Sequence, residues 1–158
     1  MMHRFKDKVV IVTGGSLGIG DAAARGFAAE GGRVVIASRD IANGEVAIER
    51  IAKAGGTAVH VATDVADEDQ VKSLVDATVA RFGRLDVLVN NAAVYIQGDA
   101  TATSVDDWNR VLAVNLTGAF LGTKYAVDAL AATQGVVINV SSEAGLVGIA
   151  GQVAYNVS

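Results

Sequence analysis

The chain has 158 residues and a formal net charge of −4, with no cysteine and no proline. The acidic balance argues against a nucleic-acid-binding protein, which needs a basic face. The lack of cysteine excludes disulfides and thiolate metal sites, and two separated histidines make a zinc cluster hard to build, so we predict no metal site. Hydrophobic residues make up 51% of the chain, which excludes a disordered protein and suffices for one well-cored domain.

No stretch of the sequence reaches the ~20 apolar residues that a membrane span needs. The start of the chain, residues 1–8, is charged and has no apolar run followed by a cleavage site. We therefore predict no signal peptide, no membrane association and a cytoplasmic protein.

Short β-branched runs alternate with longer amphipathic stretches along the chain. Strands are predicted at Val9–Thr13, Arg33–Ser38, Ala58–Ala62, Leu85–Asn90 and Val136–Ser141. Helices are predicted at Ile19–Glu30, Asn43–Ala54, Asp67–Phe82, from Ser104 onwards, and at Leu116–Ala132. This alternation predicts an α/β fold in which helices cover both faces of a parallel sheet. We find no linker or repeat, and we interpret residues 1–158 as one domain or part of one.

The first predicted strand runs directly into a glycine-rich segment, Thr13–Gly20, with the sequence TGGSLGIG. Gly14 allows the sharp turn, Gly18 lets the backbone approach a pyrophosphate, and Gly20 lets the next helix pack close to the strand. The N-terminus of that helix offers free N–H groups and a partial positive charge to phosphates. Because a strand precedes the segment and a helix follows it, we interpret it as a dinucleotide-binding turn rather than a purely structural one.

The end of the second predicted strand bears on which dinucleotide binds. An acidic residue there would bind the ribose hydroxyls of NAD, but the position holds Ser38, followed by Arg39 and Asp40. A hydroxyl beside a guanidinium suits the 2′-phosphate of NADP. Against this, Leu17 in the glycine turn is not basic, Asp40 could still reach a ribose, and Arg39 could be a solvated surface charge. We favour NADP and keep NAD as the alternative.

These features together resemble the short-chain dehydrogenase/reductase family. Five motifs match in order and at family-like spacing: TGGSLGIG, Asp64-Val65, NNAA at Asn90–Ala93, Asn115 in VLAVNLTG, and Ser142 with Tyr155. The match covers essentially the whole chain, although Ala93 stands where the family more often has glycine. The resemblance implies a Rossmann-type doubly wound sheet, in the order 3-2-1-4-5 as far as the chain goes. It also implies cofactor contacts from Gly14, Ser16, Leu17, Gly18, Ile19, Gly20, Ser38, Arg39, Asp64, Val65, Asn91, Ala92 and Ala93.

The resemblance further implies hydride transfer between a nicotinamide and a small alcohol, ketone or aldehyde. In it, Tyr155 is the general acid/base, Ser142 polarises the substrate oxygen, and Asn115 holds a proton-relay water at a helix irregularity. A free tyrosine has a pKa near ~10 and needs nearby positive charge to act as a base. In the family, the oxidised nicotinamide and a lysine one helical turn after the tyrosine supply that charge.

That lysine would come directly after Ser158, the last residue. We therefore expect the sequence to be the N-terminal part of a longer protein, without the rest of the tyrosine's helix, two further strands and the substrate loop. If the chain does end at Ser158, we expect a dinucleotide-binding fragment without turnover. The resemblance also implies a homotetramer or homodimer formed through the helices that hold Leu116–Ala132 and Tyr155.

The roles of four further residues are also considered: three have two alternative interpretations, and one has a structural interpretation alone. Asp64 accepts a hydrogen bond from an adenine amino group or caps a turn. Asn90 is cofactor-adjacent or satisfies backbone groups at a strand end, and we favour the first. Tyr95 lines a substrate pocket or belongs to a surface loop. His60 lies in the middle of a predicted strand, and we interpret it as structural.

Overall fold

The computed structural model describes residues 3–158, which form a five-stranded parallel sheet flanked by helices. The strands are β1 Val9–Thr13, β2 Arg33–Ser38, β3 Thr57–Ala62, β4 Val87–Asn90 and β5 Val136–Asn139. The helices are α1 Gly18–Ala29, α2 Ile41–Lys53, α3 Glu68–Phe82, α4 Val105–Leu112, α5 Gly118–Thr133 and α6 Val153–Asn156. The sheet order is β3-β2-β1-β4-β5, so the predicted Rossmann-type order is confirmed.

β1 lies at the centre of the sheet, and every residue in it is buried. Because side chains alternate along a strand, Val9 and Ile11 face one layer and Val10 and Val12 face the other. The first pair packs with apolar side chains of α3 and α5, and the second with those of α1 and α2. Burial on both faces explains why β1 is a continuous apolar run.

Helix capping places two helix starts slightly away from the prediction. Asp40 accepts a hydrogen bond from the backbone N–H of Asn43, 2.9 Å away, so α2 begins at Ile41. Asp67 caps α3 in the same way through the N–H of Gln70, at 3.0 Å. Each short carboxylate satisfies one of the N–H groups that have no partner within the helix.

Two irregular segments lie at the carboxyl end of the sheet. A π-helical segment, Ala113–Thr117, joins α4 to α5 without a break, and a 3-10 turn, Glu143–Gly145, follows β5. β5 ends at Asn139 rather than at Ser141, with one further hydrogen bond, from the Val140 N–H to the Asn90 carbonyl, beyond its end. Within residues 3–158, no helix combines the length and the apolar character needed to cross a membrane.

Asp86 ties the amino ends of β1 and β4 together. Its carboxylate is buried and accepts hydrogen bonds from the Val9 N–H at 2.9 Å, the Lys8 ammonium at 3.0 Å and the Arg84 guanidinium at 2.8 Å. Burial raises the pKa of Asp86, but the hydrogen bonds from Arg84, Val9 and Lys8 outweigh burial and hold the pKa below its ordinary value. The charged form is therefore the one that stabilises the fold.

Replacing Asp86 with asparagine should lower the free energy of unfolding by about 1–3 kcal/mol at neutral pH, because three charge-assisted or buried hydrogen bonds weaken. A carboxylate with a lowered pKa stabilises the fold above its unfolded-state pKa, near ~3.9, and this contribution is lost as pH falls through the folded-state pKa. The difference between the wild type and Asp86→Asn should therefore be full above pH ~5 and shrink in stronger acid.

Urea unfolding of both proteins across that pH range measures this difference. Asp76→Asn is the matched control, since Asp76 pairs only with Lys72 on the exposed face of α3 and should change stability little. A difference that stays constant from neutral to acidic pH would contradict the role given to Asp86.

Candidate active site

The glycine-rich turn after β1 has the backbone conformation that its sequence predicts. Gly14 and Gly18 have φ angles of 63° and 55°, in the left-handed region that residues with a Cβ rarely adopt. A Cβ at Gly14 would lie 2.9 Å from the Cα of Ala92, whereas a Cβ at Gly18 would point into open space. Gly14 is therefore required by close packing, and Gly18 leaves the backbone accessible from outside.

Hydrogen bonds from the end of β4 hold this turn in place. The Asn91 side-chain amide donates to the carbonyl oxygen of Thr13 at 2.9 Å and to that of Gly14 at 3.3 Å. The Thr13 hydroxyl oxygen accepts from the backbone N–H groups of Asn91 at 2.9 Å and Ala92 at 3.1 Å. A Cβ at Gly20 would collide with the Gly14 carbonyl and the Asn91 amide. The predicted cofactor residue Asn91 thus supports the turn with its side chain.

The N-terminus of α1 opens toward solvent beside this turn. No side chain caps it at Leu17, so its first backbone N–H groups remain available to an anion. Leu17 and Ile19 are 61% and 69% exposed, and Ser16 is buried beneath them. Exposed apolar side chains next to free N–H groups form a surface suited to a ligand with both phosphate and apolar parts.

A cleft of about 580 Å³ extends from the glycine turn to the end of β2. Ser38, Arg39 and Asp64 all lie on its walls. The Arg39 guanidinium is half exposed and lies 3.8 Å from the Asp64 carboxylate, a loose surface ion pair. The other oxygen of Asp64 accepts from the Ala66 N–H at 3.0 Å, so Asp64 does cap a turn. Both oxygens of Asp40 are engaged by Asn43 at the start of α2.

A second cleft, of about 380 Å³, lies on the other side of the carboxyl end of β1 and β4. It brings together Asn115, Ser142 and Tyr155, three residues from different parts of the chain. The two clefts adjoin each other, because they share four lining residues: Val65, Ala92, Ala93 and Val114. We call the two adjoining clefts together the groove, with the glycine turn toward one end and Tyr155 toward the other.

Asn115 lies in the π-helical segment, so the predicted helix irregularity is present at this residue. Its side-chain oxygen accepts from the Val94 N–H at 2.8 Å, and its side-chain nitrogen donates to the Val94 carbonyl at 3.0 Å. The same nitrogen donates to the Ser158 hydroxyl at 2.9 Å. Asn115 thus joins the segment after β4 to the residues that follow α6.

Tyr155 lies in α6, and its ring packs edge-on against Tyr95 with the ring centroids 5.4 Å apart. The backbone of Gly98 pairs with Gly151 and Val153, which brings α6 next to the segment after β4. Tyr95 is half exposed in the loop after β4, and it contacts Tyr155, which lines the second cleft. Ser142 lies just after β5, where its hydroxyl oxygen accepts from the Ala144 N–H at 3.2 Å.

Sequence reasoning overlooked the part played by Thr13, because no periodicity or motif spacing reveals which backbone groups its hydroxyl meets. Asn90 lines the groove, but its amide nitrogen donates to Ala119, Thr123 and Asn139. Its amide oxygen is buried and has no hydrogen-bond partner among the described residues. No group of three or more histidine, cysteine, aspartate or glutamate residues within 3–158 is arranged to hold a metal ion.

Comparisons with known proteins find relatives that are similar in sequence and in fold. Meso-2,3-butanediol dehydrogenase of Serratia marcescens is 38% identical over 152 residues, covering 96% of this chain and 60% of that protein. Trans-4-hydroxycyclohexanecarboxylate dehydrogenase of Sinomonas cyclohexanicum is 41% identical over 158 residues, covering 96% of this chain and 61% of that protein. A solved structure of a short chain dehydrogenase from Mycobacterium smegmatis has a TM-score of 0.92 and 34% identity, covering 97% of this chain and 65% of that one.

The chain thus spans about 60% of the length of the curated relatives named here. The family model for short chain dehydrogenases matches residues 8–158, which include the glycine turn, both clefts and Tyr155. The sequence motifs, the sheet order and these matches all lead to the same conclusion: the chain belongs to the short-chain dehydrogenase/reductase family.

Proposed function

We propose that residues 1–158 are the dinucleotide-binding domain of an NAD(P)-dependent oxidoreductase that interconverts a small alcohol and its ketone or aldehyde. The observation that carries the proposal is the pair of adjoining clefts, with an uncapped helix N-terminus near one and Tyr155, Ser142 and Asn115 on the lining of the other. The names of the two curated relatives, dehydrogenases of a butanediol and of a hydroxycyclohexane carboxylate, support an alcohol as the substrate class.

The phosphate end of the groove fits a dinucleotide. Gly18 leaves open space where a Cβ would stand, and the free N–H groups at the start of α1 suit a pyrophosphate. The other proposed cofactor contacts come from this turn and from the segments that follow β2, β3 and β4. They are Gly14, Ser16, Leu17, Ile19 and Gly20 in the turn, Ser38 and Arg39 after β2, Asp64 and Val65 after β3, and Asn91, Ala92 and Ala93 after β4.

NADP is the proposed dinucleotide, with NAD as the alternative. The guanidinium of Arg39 is half exposed in the cleft, and its pairing with Asp64 at 3.8 Å is loose enough to be exchanged for a phosphate. The Asp40 carboxylate is engaged at the start of α2. It is therefore less available than a free carboxylate to bind ribose hydroxyls.

The catalytic end of the groove would supply proton transfer. When bound, the nicotinamide accepts or gives a hydride. Tyr155 holds or moves the proton at its phenolic oxygen, and Ser142 donates a hydrogen bond to the substrate oxygen. Asn115 belongs to the proton relay and keeps the segment at Val94 in place. Its location in a π-helical segment supports this role, because such segments are frequent at functional sites.

Self-association into a homodimer or homotetramer forms part of the proposal. α5 and the π-helical segment before it carry three exposed apolar side chains, Leu116, Phe120 and Val127. Their spacing places them on one side of a continuous helix. An exposed apolar stripe of this kind is typical of a surface that contacts another subunit.

Replacing Gly20 with alanine should weaken dinucleotide binding more than tenfold, because the added Cβ collides with the Gly14 carbonyl and displaces the phosphate turn. Gly26→Ala is the matched control in the same helix, since a Cβ there meets nothing within 4 Å. Titration of both variants with NADP⁺ and NAD⁺ measures the effect. Equal binding by the two variants would argue against a dinucleotide at this turn.

Replacing Tyr155 with phenylalanine should lower turnover by about 10²–10⁴-fold and leave dinucleotide affinity nearly unchanged, because only the proton-transferring oxygen is removed. Steady-state kinetics with a panel of secondary alcohols, paired with cofactor titration, provides the measurement. Tyr125→Phe is the control, since its hydroxyl donates to Glu68 at the start of α3 and the residue lines neither cleft. If the unmodified full-length protein binds dinucleotide and turns over no alcohol or carbonyl compound, a binding role without chemistry is the better description.

Replacing Arg39 with alanine should reduce NADP⁺ affinity by about 10–100-fold and change NAD⁺ affinity little, because a charged hydrogen bond to the 2′-phosphate is lost. Fluorescence titration with each dinucleotide gives the two dissociation constants. Arg81→Ala, at the end of α3 and outside the groove, controls for loss of positive charge. Equal loss of affinity for both dinucleotides would remove the basis for the NADP preference.

A further inference from the structure

We propose that His60 is a positioning residue for dinucleotide selection, acting through the hydroxyl of Ser38. This inference rests on the proposed function, because it concerns how the end of β2 recognises the adenosine ribose. The sequence alone gives His60 a structural interpretation. Its contacts give it a more specific role, since they determine what the Ser38 hydroxyl can offer to a ligand in the cleft.

His60 lies on β3 next to β2, in register with Ile36, and its ring reaches the end of that strand. Its Nε2 atom is 2.9 Å from the Ser38 hydroxyl oxygen and 3.2 Å from the Ser38 carbonyl oxygen. Gly44 of α2 makes room for the ring, because a Cβ at that position would collide with the imidazole. The ring therefore lies against Ser38 for two reasons: β3 carries His60, and the absence of a Cβ at Gly44 leaves space for the imidazole beside α2.

The Ser38 carbonyl determines which nitrogen of His60 carries a proton. A carbonyl oxygen can only accept, so an unprotonated Nε2 at 3.2 Å would place two lone pairs against each other. We therefore assign the hydrogen to Nε2, the tautomer in which His60 donates to Ser38. The Ser38 hydroxyl oxygen accepts from His60, which leaves its own hydrogen for a different acceptor.

Among the described residues, that hydrogen has only a weak partner. The Ser38 hydroxyl donates to the backbone carbonyl of Asp40 across 3.3 Å, at the long end of the normal range. A phosphate oxygen is a stronger acceptor and would replace this carbonyl. Donation from His60 also polarises the hydroxyl and strengthens it as a donor. His60 thus prepares Ser38 to donate to a 2′-phosphate beside Arg39.

A free ribose 2′-hydroxyl, as in NAD, does not require Ser38 to be a hydrogen-bond donor. It can both donate and accept a hydrogen bond, so it can pair with Ser38 whichever way the serine hydrogen points. A phosphate oxygen can only accept, so it depends on Ser38 being a donor. The effect of His60 is therefore specific to NADP, whereas a residue that merely stabilised the fold would alter the binding of NADP and NAD together.

The test is a double-mutant cycle on the full-length protein that carries this chain. Dissociation constants for NADP⁺ and NAD⁺ are measured by titration for the wild type, His60→Ala, Ser38→Ala and the double variant. His60→Ala should weaken NADP⁺ binding by about three- to tenfold, the effect of one hydrogen bond, and change NAD⁺ binding less than twofold. In the Ser38→Ala background, His60→Ala should have no further effect on the ratio of the two constants.

Two more variants separate hydrogen bonding from folding. His60→Gln should restore most of the NADP⁺ affinity, because its amide nitrogen can donate from about the position of Nε2. Gly44→Ala leaves His60 in the chain and should reproduce the loss, because the added Cβ pushes the ring away from Ser38. If His60→Ala does not fold, the comparison of His60→Gln with Gly44→Ala decides the question.

The possible failures are distinguishable. If the wild type binds neither dinucleotide, both the proposed function and this inference are wrong. If NADP⁺ binds and the His60 variants weaken both dinucleotides equally, or the effect persists without the Ser38 hydroxyl, only the role of His60 is wrong. Selective loss for NADP⁺ that disappears in the Ser38→Ala background supports the inference.

Discussion

The close approach of two parallel strands at their carboxyl ends is the constraint on which the site depends. β1 and β4 are neighbours in the sheet, so the turn after β1 lies against the first residues after β4. The amide of Asn91 satisfies carbonyl groups of that turn, and Gly20 keeps the start of α1 close enough for this contact. Without those hydrogen bonds, the buried carbonyls would be unpaired at considerable energetic cost. The direction of α1, and with it the accessible helix N-terminus, follows from this contact.

The amino and carboxyl ends of the sheet differ in how their polar side chains are paired. At the amino end, Asp86 joins β1 to β4 through buried hydrogen bonds. This is the end of the sheet opposite the groove. At the carboxyl end, short hydrogen bonds hold the glycine turn, but the side chains of Arg39 and Asp64 are loosely paired, 3.8 Å apart. The tight pairing at Asp86 stabilises the fold away from the groove, whereas the loose pairing leaves the Arg39 guanidinium available to a ligand. Open α/β sheets commonly bind ligands at this carboxyl edge.

The two ends of the groove differ in the chain segments that form them. The glycine-turn end consists largely of backbone groups and small side chains from consecutive residues, so a short motif describes it well. The other end gathers Asn115, Ser142 and Tyr155 from a π-helical segment, a 3-10 turn and a short helix. Exposed Leu146, at 89%, lies in the segment between the latter two. Local sequence varies more easily in such segments than in a buried strand, which is consistent with relatives of one fold acting on different substrates.

The sequence by itself determined the order of strands and helices and the sharp turn at Gly14. These features are predictable because burial pattern and φ preference depend on residues close together in the chain. The resemblance to the family singled out Asn115, Ser142 and Tyr155, and all three lie on the lining of one cleft. Only the tertiary structure decided that Asn91 supports the turn, that Asp40 caps α2, and that His60 meets Ser38. A side chain's hydrogen-bond partners depend on which elements lie beside it, and no pattern within a single element specifies them.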